Sequence, residues 1–304
     1  MLDVTVCILS YNRPIFLRET LLSVLAQTRL PEKIVIYDNG SDSSVYNNIK
    51  NLLGERVQWV GADVNYYALW NFRRAMHNTE SQYVMMLHDD DRLCANFLES
   101  QIAFLDANLS LAAVSCNGYF IDEVGKRTGG TLAPISVNNL FELYECSGQV
   151  AIKYAGNSCI PFSPTIYRTD IAKKIDFRED FGKVIDAVYF CDLAEIASIG
   201  YQTAPMYESR LHSGQDSSYF PYDLMNQLEE FFISRTCTHD VEKSRLQQLL
   251  IKQHTARNIK QCLQLIKQMD FFKAISLLID SKFKWVAAVQ LISAGIVKYT
   301  LRKY

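Results

Sequence analysis

The chain has 304 residues, 49% of them apolar and 21% charged, with a formal net charge of -2. That length allows one large domain, or one domain plus an appendage, around a sizeable core, and the composition excludes a disordered chain. The near-balanced charge offers nothing to nucleic acid, and no apolar run approaches the ~20 residues that span a bilayer.

Residues 4–9, Val-Thr-Val-Cys-Ile-Leu, read as a buried strand that ends at Ser10-Tyr11-Asn12-Arg13-Pro14. A helix follows, with Ser10 or Asn12 as cap, Pro14 in its first turn and Phe16, Leu17, Leu21, Leu22 and Leu25 on one face. Lys33-Ile34-Val35-Ile36-Tyr37 is a second strand, closed by the polar turn Asp38-Asn39-Gly40-Ser41-Asp42. A helix to Leu53, a short strand at 57–60 and a helix from Ala68 to Met76 lead to the fourth strand, Tyr83-Val84-Met85-Met86-Leu87. This βα alternation predicts an α/β fold with a mostly parallel sheet and helices on both faces.

Beyond it the sequence predicts a helix over 97–105, a strand over 112–116 and a hairpin turn at 120–126. Residues 128–165 read as an irregular, substrate-facing segment. A helix is expected from Ala187 to Ile199, stopped by Gly200. After Pro221 the pattern turns almost wholly helical, which divides the chain into a catalytic domain at 1–220 and a C-terminal helical region at 221–304. The first domain splits again into a nucleotide-sugar-binding half (1–115) and an acceptor half (116–220).

The eight cysteines are scattered, with no Cys-x-x-Cys pair. Cys7 and Cys191 sit in apolar stretches and read as buried thiols, which suits a reducing compartment and speaks against zinc. Strand-like sequence from Val4 leaves no signal peptide, so the expected location is cytoplasmic.

The chemistry concentrates at strand ends. His88-Asp89-Asp90-Asp91 follows the fourth strand directly, and adjacent carboxylates need hydrogen bonds, solvent or a cation to offset their repulsion. Ligands of open parallel sheets sit beyond these carboxyl ends, so a hard divalent cation with a phosphorylated substrate is the economical reading. Asp38 is placed to accept from a nucleobase ring N–H or to close an Asx-turn. Asp89 is placed for a ribose hydroxyl and Asp90 for the metal, with Asp91 left to a structural role. Neither a Gly-x-Gly-x-x-Gly fingerprint nor a P-loop is present, which excludes an ordinary dehydrogenase or NTPase.

Ser-Tyr-Asn-Arg-Pro, Tyr-Asp-Asn-Gly-Ser-Asp and His-Asp-Asp-Asp, each at a strand end and in this order, resemble the family-2 glycosyltransferases of the GT-A fold over about residues 1–215. The resemblance implies an inverting glycosyltransferase that takes a nucleotide-diphosphate sugar, UDP-linked by preference, with Mn²⁺ or Mg²⁺. It implies nucleotide-sugar binding by Ser10, Tyr11, Asn12, Arg13, Asp38 and Asp89, with Tyr11 flanking the base and Asp90 on the metal. Arg73, on the helix before the fourth strand, is expected at the diphosphate. Val184-Ile185-Asp186-Ala187-Val188-Tyr189-Phe190 resembles the segment that carries the general base, making Asp186 the catalytic candidate with an N-cap as the competing role and Glu179 and Asp180 in reserve. His212, in a polar loop, is expected near the metal or diphosphate, with Lys183 or Arg210 as phosphate alternatives. Two departures stand out: His88 replaces the first acid of Asp-x-Asp, and Asn65-Tyr66-Tyr67-Ala68-Leu69-Trp70-Asn71 replaces Gly-rich sequence.

The implied acceptor is a saccharide, polyprenyl-diphosphate-linked, in surface polysaccharide or O-antigen assembly. The last 23 residues carry Lys282, Lys284, Lys298, Arg302 and Lys303 and no acid, with Trp285, Val289, Ile292 and Ile296 at helical spacing. That pattern fits either a peripheral contact with an anionic membrane surface or a helix docked on the catalytic domain. The rival readings are a sugar-1-phosphate nucleotidyltransferase and a catalytically degenerate sugar-nucleotide-binding domain. The nucleotidyltransferase would carry a Gly-rich basic loop after the first strand, where Ser10–Pro14 stands instead.

Overall fold

Alternation along the first strand, β1 (Leu2–Ser10), whose one charge is the exposed Asp3, places helices on both sides of the sheet. Val4, Val6 and Ile8 join one core with Leu17, Leu21 and Val24 of α1 (Pro14–Leu25) and Val45 and Ile49 of α2 (Ser43–Ile49). Cys7 points the other way, its sulfur 3.5 Å from the Thr79 hydroxyl at the end of α3 (Ala68–Asn78). The computed structural model describes residues 2–136, 138–214, 221–267 and 273.

The remaining strands are β2 (Pro31–Asp38), β3 (Val57–Val60), β4 (Tyr83–His88), β5 (Arg92–Leu93), β6 (Leu111–Ile121), β7 (Arg127–Thr131), β8 (Phe141–Tyr144), β9 (Ile166–Arg168) and β10 (Ser198–Arg210). The remaining helices are α4 (Phe97–Ala107), α5 (Ser147–Ala155), α6 (Thr169–Ala172), α7 (Ile185–Ala194), α8 (Tyr222–Ile233) and α9 (Asp240–Lys267). The sheet runs β3-β2-β1-β4-β9-β6-β10-β5, with β7 on β6 and β8 on β10. Its first four strands are parallel, as expected. The second half is mixed, because β9 runs antiparallel to both β4 and β6 while β6 and β10 are parallel.

Order 3-2-1-4 makes β1 the strand where the chain reverses its direction of travel, and crevices form at such points beyond the carboxyl ends. Register sets the three motifs side by side: Ser10 pairs with Asp38, and Leu9 with His88. An aromatic core fills the space between α3, α7 and the segment before β9. There Phe177 stacks on Tyr189 at 4.5 Å, and Phe162 contacts Phe72 at 5.1 Å.

Two expectations are corrected. Residues 128–165 hold β7, β8 and α5 rather than irregular chain. The helix expected to reach Ile199 ends at Ala194, and Gly200 lies inside β10. Pairing with β6 decides this, and a Cβ on Gly200 would come within 3.0 Å of the Phe104 ring. The first compact unit extends to His239, past the change of sequence character at Pro221, and the second covers Asp240–Tyr304. Helix α8 belongs to the first unit because Phe231 packs edge-on against Phe181 and lies under the Arg178 guanidinium. The basic segment 282–304 lies outside the described residues. The described cysteines are free thiols, with Cys7 and Cys191 buried as expected.

Candidate active site

The carboxyl ends of β2, β1 and β4 converge on one polar cluster. Ser10 closes β1 and Asp38 closes β2, both buried, and the register makes them neighbours. Asp38 does form the Asx-turn: its Oδ2 accepts the N–H groups of Gly40 and Ser41 at 3.2 and 3.0 Å. Its Oδ1, however, is buried with no partner, and so is the Ser10 hydroxyl. Two orphaned acceptors on adjacent strand ends are costly unless a ligand donates to them.

The next turn supplies the link to β4. Asn12 adopts a left-handed φ of 53°, which turns its backbone N–H onto the Ser41 hydroxyl and its Oδ1 onto the Asp42 N–H. This tilt delivers the Tyr11 N–H to Asp89 Oδ2 at 3.0 Å and the Arg13 guanidinium to Asp89 Oδ1 at 2.9 Å. Arg13 also lies 3.4 Å from Asp90 Oδ2 and donates to the Gly214 carbonyl at 3.1 Å. Burial pushes the Asp89 carboxyl up to about 6, against the attraction of Arg13 and with the repulsion of Asp90.

Asp90 meets His212, Oδ2 to Nε2 at 2.9 Å. His212 Nδ1 accepts the Gly214 N–H at 3.1 Å, which leaves Nε2 as the ring nitrogen that faces Asp90. Asp90 Oδ1 accepts no hydrogen bond among the described residues. A carboxylate and an imidazole meeting at an open position suit a hard-to-borderline divalent cation. His88, Asp90 and Asp91 also bring ligand atoms within 4.8 Å of one another. Asp91 is the poorer ligand of that set. Its oxygens already accept the Ser163 hydroxyl and the Arg210 N–H, and its carbonyl accepts the Thr20 hydroxyl. It holds the turn together, the structural role expected of it.

Arg73 is not at the cluster. Its guanidinium pairs with Asp176 at 2.8 Å and with Glu179, and donates to the Phe177 carbonyl, so the expected diphosphate contact is corrected. The same pairing removes Glu179 from reserve. Arg210 is also reassigned, being fully buried. It donates to the carbonyls of Asp90, Asp122 and Glu123 and to Glu19, and lies over the Phe16 ring. Arg74 faces Trp70 at 4.4 Å and holds the carbonyls of Asp38 and Val60.

Asp186 stands in the first turn of α7, partly buried. Desolvation raises its carboxyl to about 6, partly opposed by the backbone N–H groups there; burial raises the neighbouring Tyr154 phenol and Cys159 thiol, and the Asp186 charge adds to both. A base held near neutrality is what proton abstraction from a hydroxyl needs. Sequence reasoning missed Ser163, Glu19, the Asn39–Asn65 pair and the buried role of Arg210. Each partner lies far along the chain from what it supports, so no local spacing announces it. A surface hollow of about 580 Å³ between Phe104, Phe141, Gln202 and Met206 carries no acid or base and fits no catalytic role.

The family model described as Glycosyl transferase family 2 matches residues 5–176. A Haemophilus influenzae protein described as an uncharacterized glycosyltransferase is 18% identical over 228 residues, covering 72% of this chain and 69% of that one. A Rickettsia felis protein described in the same words is 25% identical over 227 residues; the match covers 70% of this chain and only 35% of the relative. Among solved structures, S. aureus TarS 1–349 in complex with UDP-GlcNAc superposes with a TM-score of 0.63 at 18% identity, covering 91% of this chain and 81% of that one. The longer S. aureus TarS structure gives a TM-score of 0.55 at 19% identity, covering 83% of this chain and 42% of that one. The fold is therefore the expected GT-A type. The match from the first strand to beyond the carboxylate turn takes in more than half of the sequence, and the chain belongs to glycosyl transferase family 2.

Proposed function

We propose that this chain is an inverting glycosyltransferase that takes its sugar from a UDP-sugar and delivers it to a saccharide hydroxyl. The observation that carries the reading is the pair of orphaned buried acceptors, Ser10 Oγ and Asp38 Oδ1, beside the Arg13–Asp89–Asp90–His212 cluster. In this reading Asp38 Oδ1 accepts the ring N–H of the base, and Asp89, steadied by the Tyr11 N–H, accepts from ribose. Arg13 swings its charge towards the diphosphate. Asp90 and His212 hold Mn²⁺ or Mg²⁺, which when bound neutralises charge on the leaving diphosphate. Asp186 takes the proton of the acceptor hydroxyl as its oxygen bonds to the anomeric carbon. The bond from that carbon to the diphosphate breaks on the opposite face, and the configuration inverts. TarS is described with UDP-GlcNAc and UDP bound, which supports a uridine donor here.

The acceptor we read as a polyprenyl-diphosphate-linked saccharide of surface-polysaccharide or O-antigen assembly, handled on the cytoplasmic side with 282–304 at the membrane surface. Family resemblance and the basic composition of that segment support this reading. No helix among the described residues is long and apolar enough to cross a membrane.

Thermal denaturation with UDP, TDP, GDP and CMP, each with and without Mn²⁺, tests the donor site. Ligand at ~100 times its dissociation constant adds about 2.7 kcal/mol, a rise of about 4–5 °C for a chain of this size. The expected result is a shift with UDP that needs Mn²⁺ and disappears in Asp90→Ala. No shift with any nucleotide overturns the reading.

A further inference from the structure

Tyr67 occupies backbone space that normally belongs to glycine, with φ 71° and ψ 160°. Its ring is 82% exposed, and its hydroxyl has no hydrogen bond among the described residues. A strained backbone carrying a bare aromatic ring gives nothing to folding.

The strain is held in place by hydrogen bonds from the donor-side turn. The Tyr67 N–H donates to Asn65 Oδ1 at 2.9 Å, and Asn39 Nδ2 donates to the same oxygen at 2.9 Å. Asn39 Oδ1 in turn accepts the Tyr66 N–H at 3.1 Å, and the Asp38 carbonyl accepts the Ala62 N–H at 3.0 Å. Gly40, at φ 78°, lies so close that a Cβ would stand 2.4 Å from the Val64 carbonyl carbon. The segment from Gly61 to Tyr67 is thus fastened to the turn that carries the orphaned Asp38 oxygen.

Strand order and these bonds bring the groups to one end of the sheet. Asp38 ends β2, Tyr11 follows the neighbouring β1, and Tyr67 ends the segment between β3 and α3 that is tied to the Asp38 turn. Tyr11 is itself 43% exposed.

We propose that Tyr67 is a specificity-determining residue of the donor site: with Tyr11 it clamps the two faces of the nucleobase whose edge Asp38 reads. The inference rests on the nucleotide-sugar reading above.

Calorimetric titration of the full chain with UDP and Mn²⁺, and separately with pyrophosphate and Mn²⁺, tests it in wild type, Tyr67→Phe and Tyr67→Gly. Loss of an aromatic partner for a base weakens binding on the order of 10-fold or more. Tyr67→Phe is expected to bind UDP within about twofold of wild type, because the stacking face is kept. Tyr67→Gly is expected to lose about 10-fold for UDP, to bind pyrophosphate unchanged, and to melt a few degrees higher because glycine accepts the backbone. Undiminished UDP affinity in Tyr67→Gly overturns the proposal, as does an equal loss for pyrophosphate. So does a raised acceptor KM with UDP affinity intact, which would assign the ring to the acceptor. Failure of the wild type itself to bind UDP sinks the donor reading instead.

Discussion

In its proposed role as base, Asp186 sets catalysis against stability within one side chain. Desolvation lifts its carboxyl from the ordinary aspartate value to about 6, so folding favours the protonated form. The stability this contributes is complete below about pH 4 and is lost as pH rises through about 6, leaving a buried charge at neutrality. Asp186→Asn removes that charge and keeps the shape. At pH 7.5 it is expected to be more stable than wild type by about 1–3 kcal/mol, with the partial exposure of the site favouring the lower figure. The gap is expected to close by pH 4, which melting curves across the range will trace. Turnover is expected to fall by about 10²–10⁴, and wild-type kcat to rise through about pH 6 to a plateau. A variant that keeps full activity would leave Asp186 as an acid of the first turn of α7, favourable at a helix start whose N-cap is Val184 rather than Asp186.

Elements meet the site through Arg210, the last residue of β10. It is fully buried, and its forked guanidinium joins the Asp90 carbonyl on the β4 turn, Glu19 on α1 and the carbonyls of Asp122 and Glu123 after β6. Its own N–H bonds Asp91 at 3.2 Å. Arg210→Ala leaves several acceptors and the Glu19 charge without their donor, and is expected to cost about 3 kcal/mol or more, about 5 °C or more in Tm. Arg210→Lys keeps the charge but not the fork, and is expected to recover only part of the loss. Equal melting of all three proteins would remove Arg210 from its place as the clamp. The same residue marks how far the sequence was legible. Strands β1, β2 and β4 were readable because buried parallel strands are uninterrupted apolar runs, and the motifs at their ends took their places from strand order. Strand β10 was hidden, since Ser198–Arg210 mixes Gly, Pro and polar residues and owes its extended form to pairing with β6 and β8. With β10 unseen, Arg210 read as a loop cation facing phosphate. Arg73 was misplaced for a related reason, because Asp176 and Glu179, which hold it, lie about a hundred residues away.

At the scale of the whole molecule, the placement of every site residue divides binding from location. The residues proposed for the donor and the base run from Ser10 to His212, all inside the compact unit that closes at His239. The basic, acid-free stretch 282–304 lies beyond that unit in the sequence. Attraction to an anionic surface scales with the number of nearby Lys and Arg, at about 1 kcal/mol each, and falls with salt. Donor chemistry and surface attachment are therefore expected to separate on truncation. A chain ending at His239 is expected to keep its metal-dependent UDP shift and to lose sedimentation with phosphatidylserine vesicles. The full chain is expected to sediment at low salt and to be released as salt rises. Loss of the UDP shift on truncation would mean that the second unit completes the donor site. A full chain that ignores the vesicles at low salt would end the membrane reading and leave the basic segment to the docked-helix alternative, with the acceptor then sought in solution.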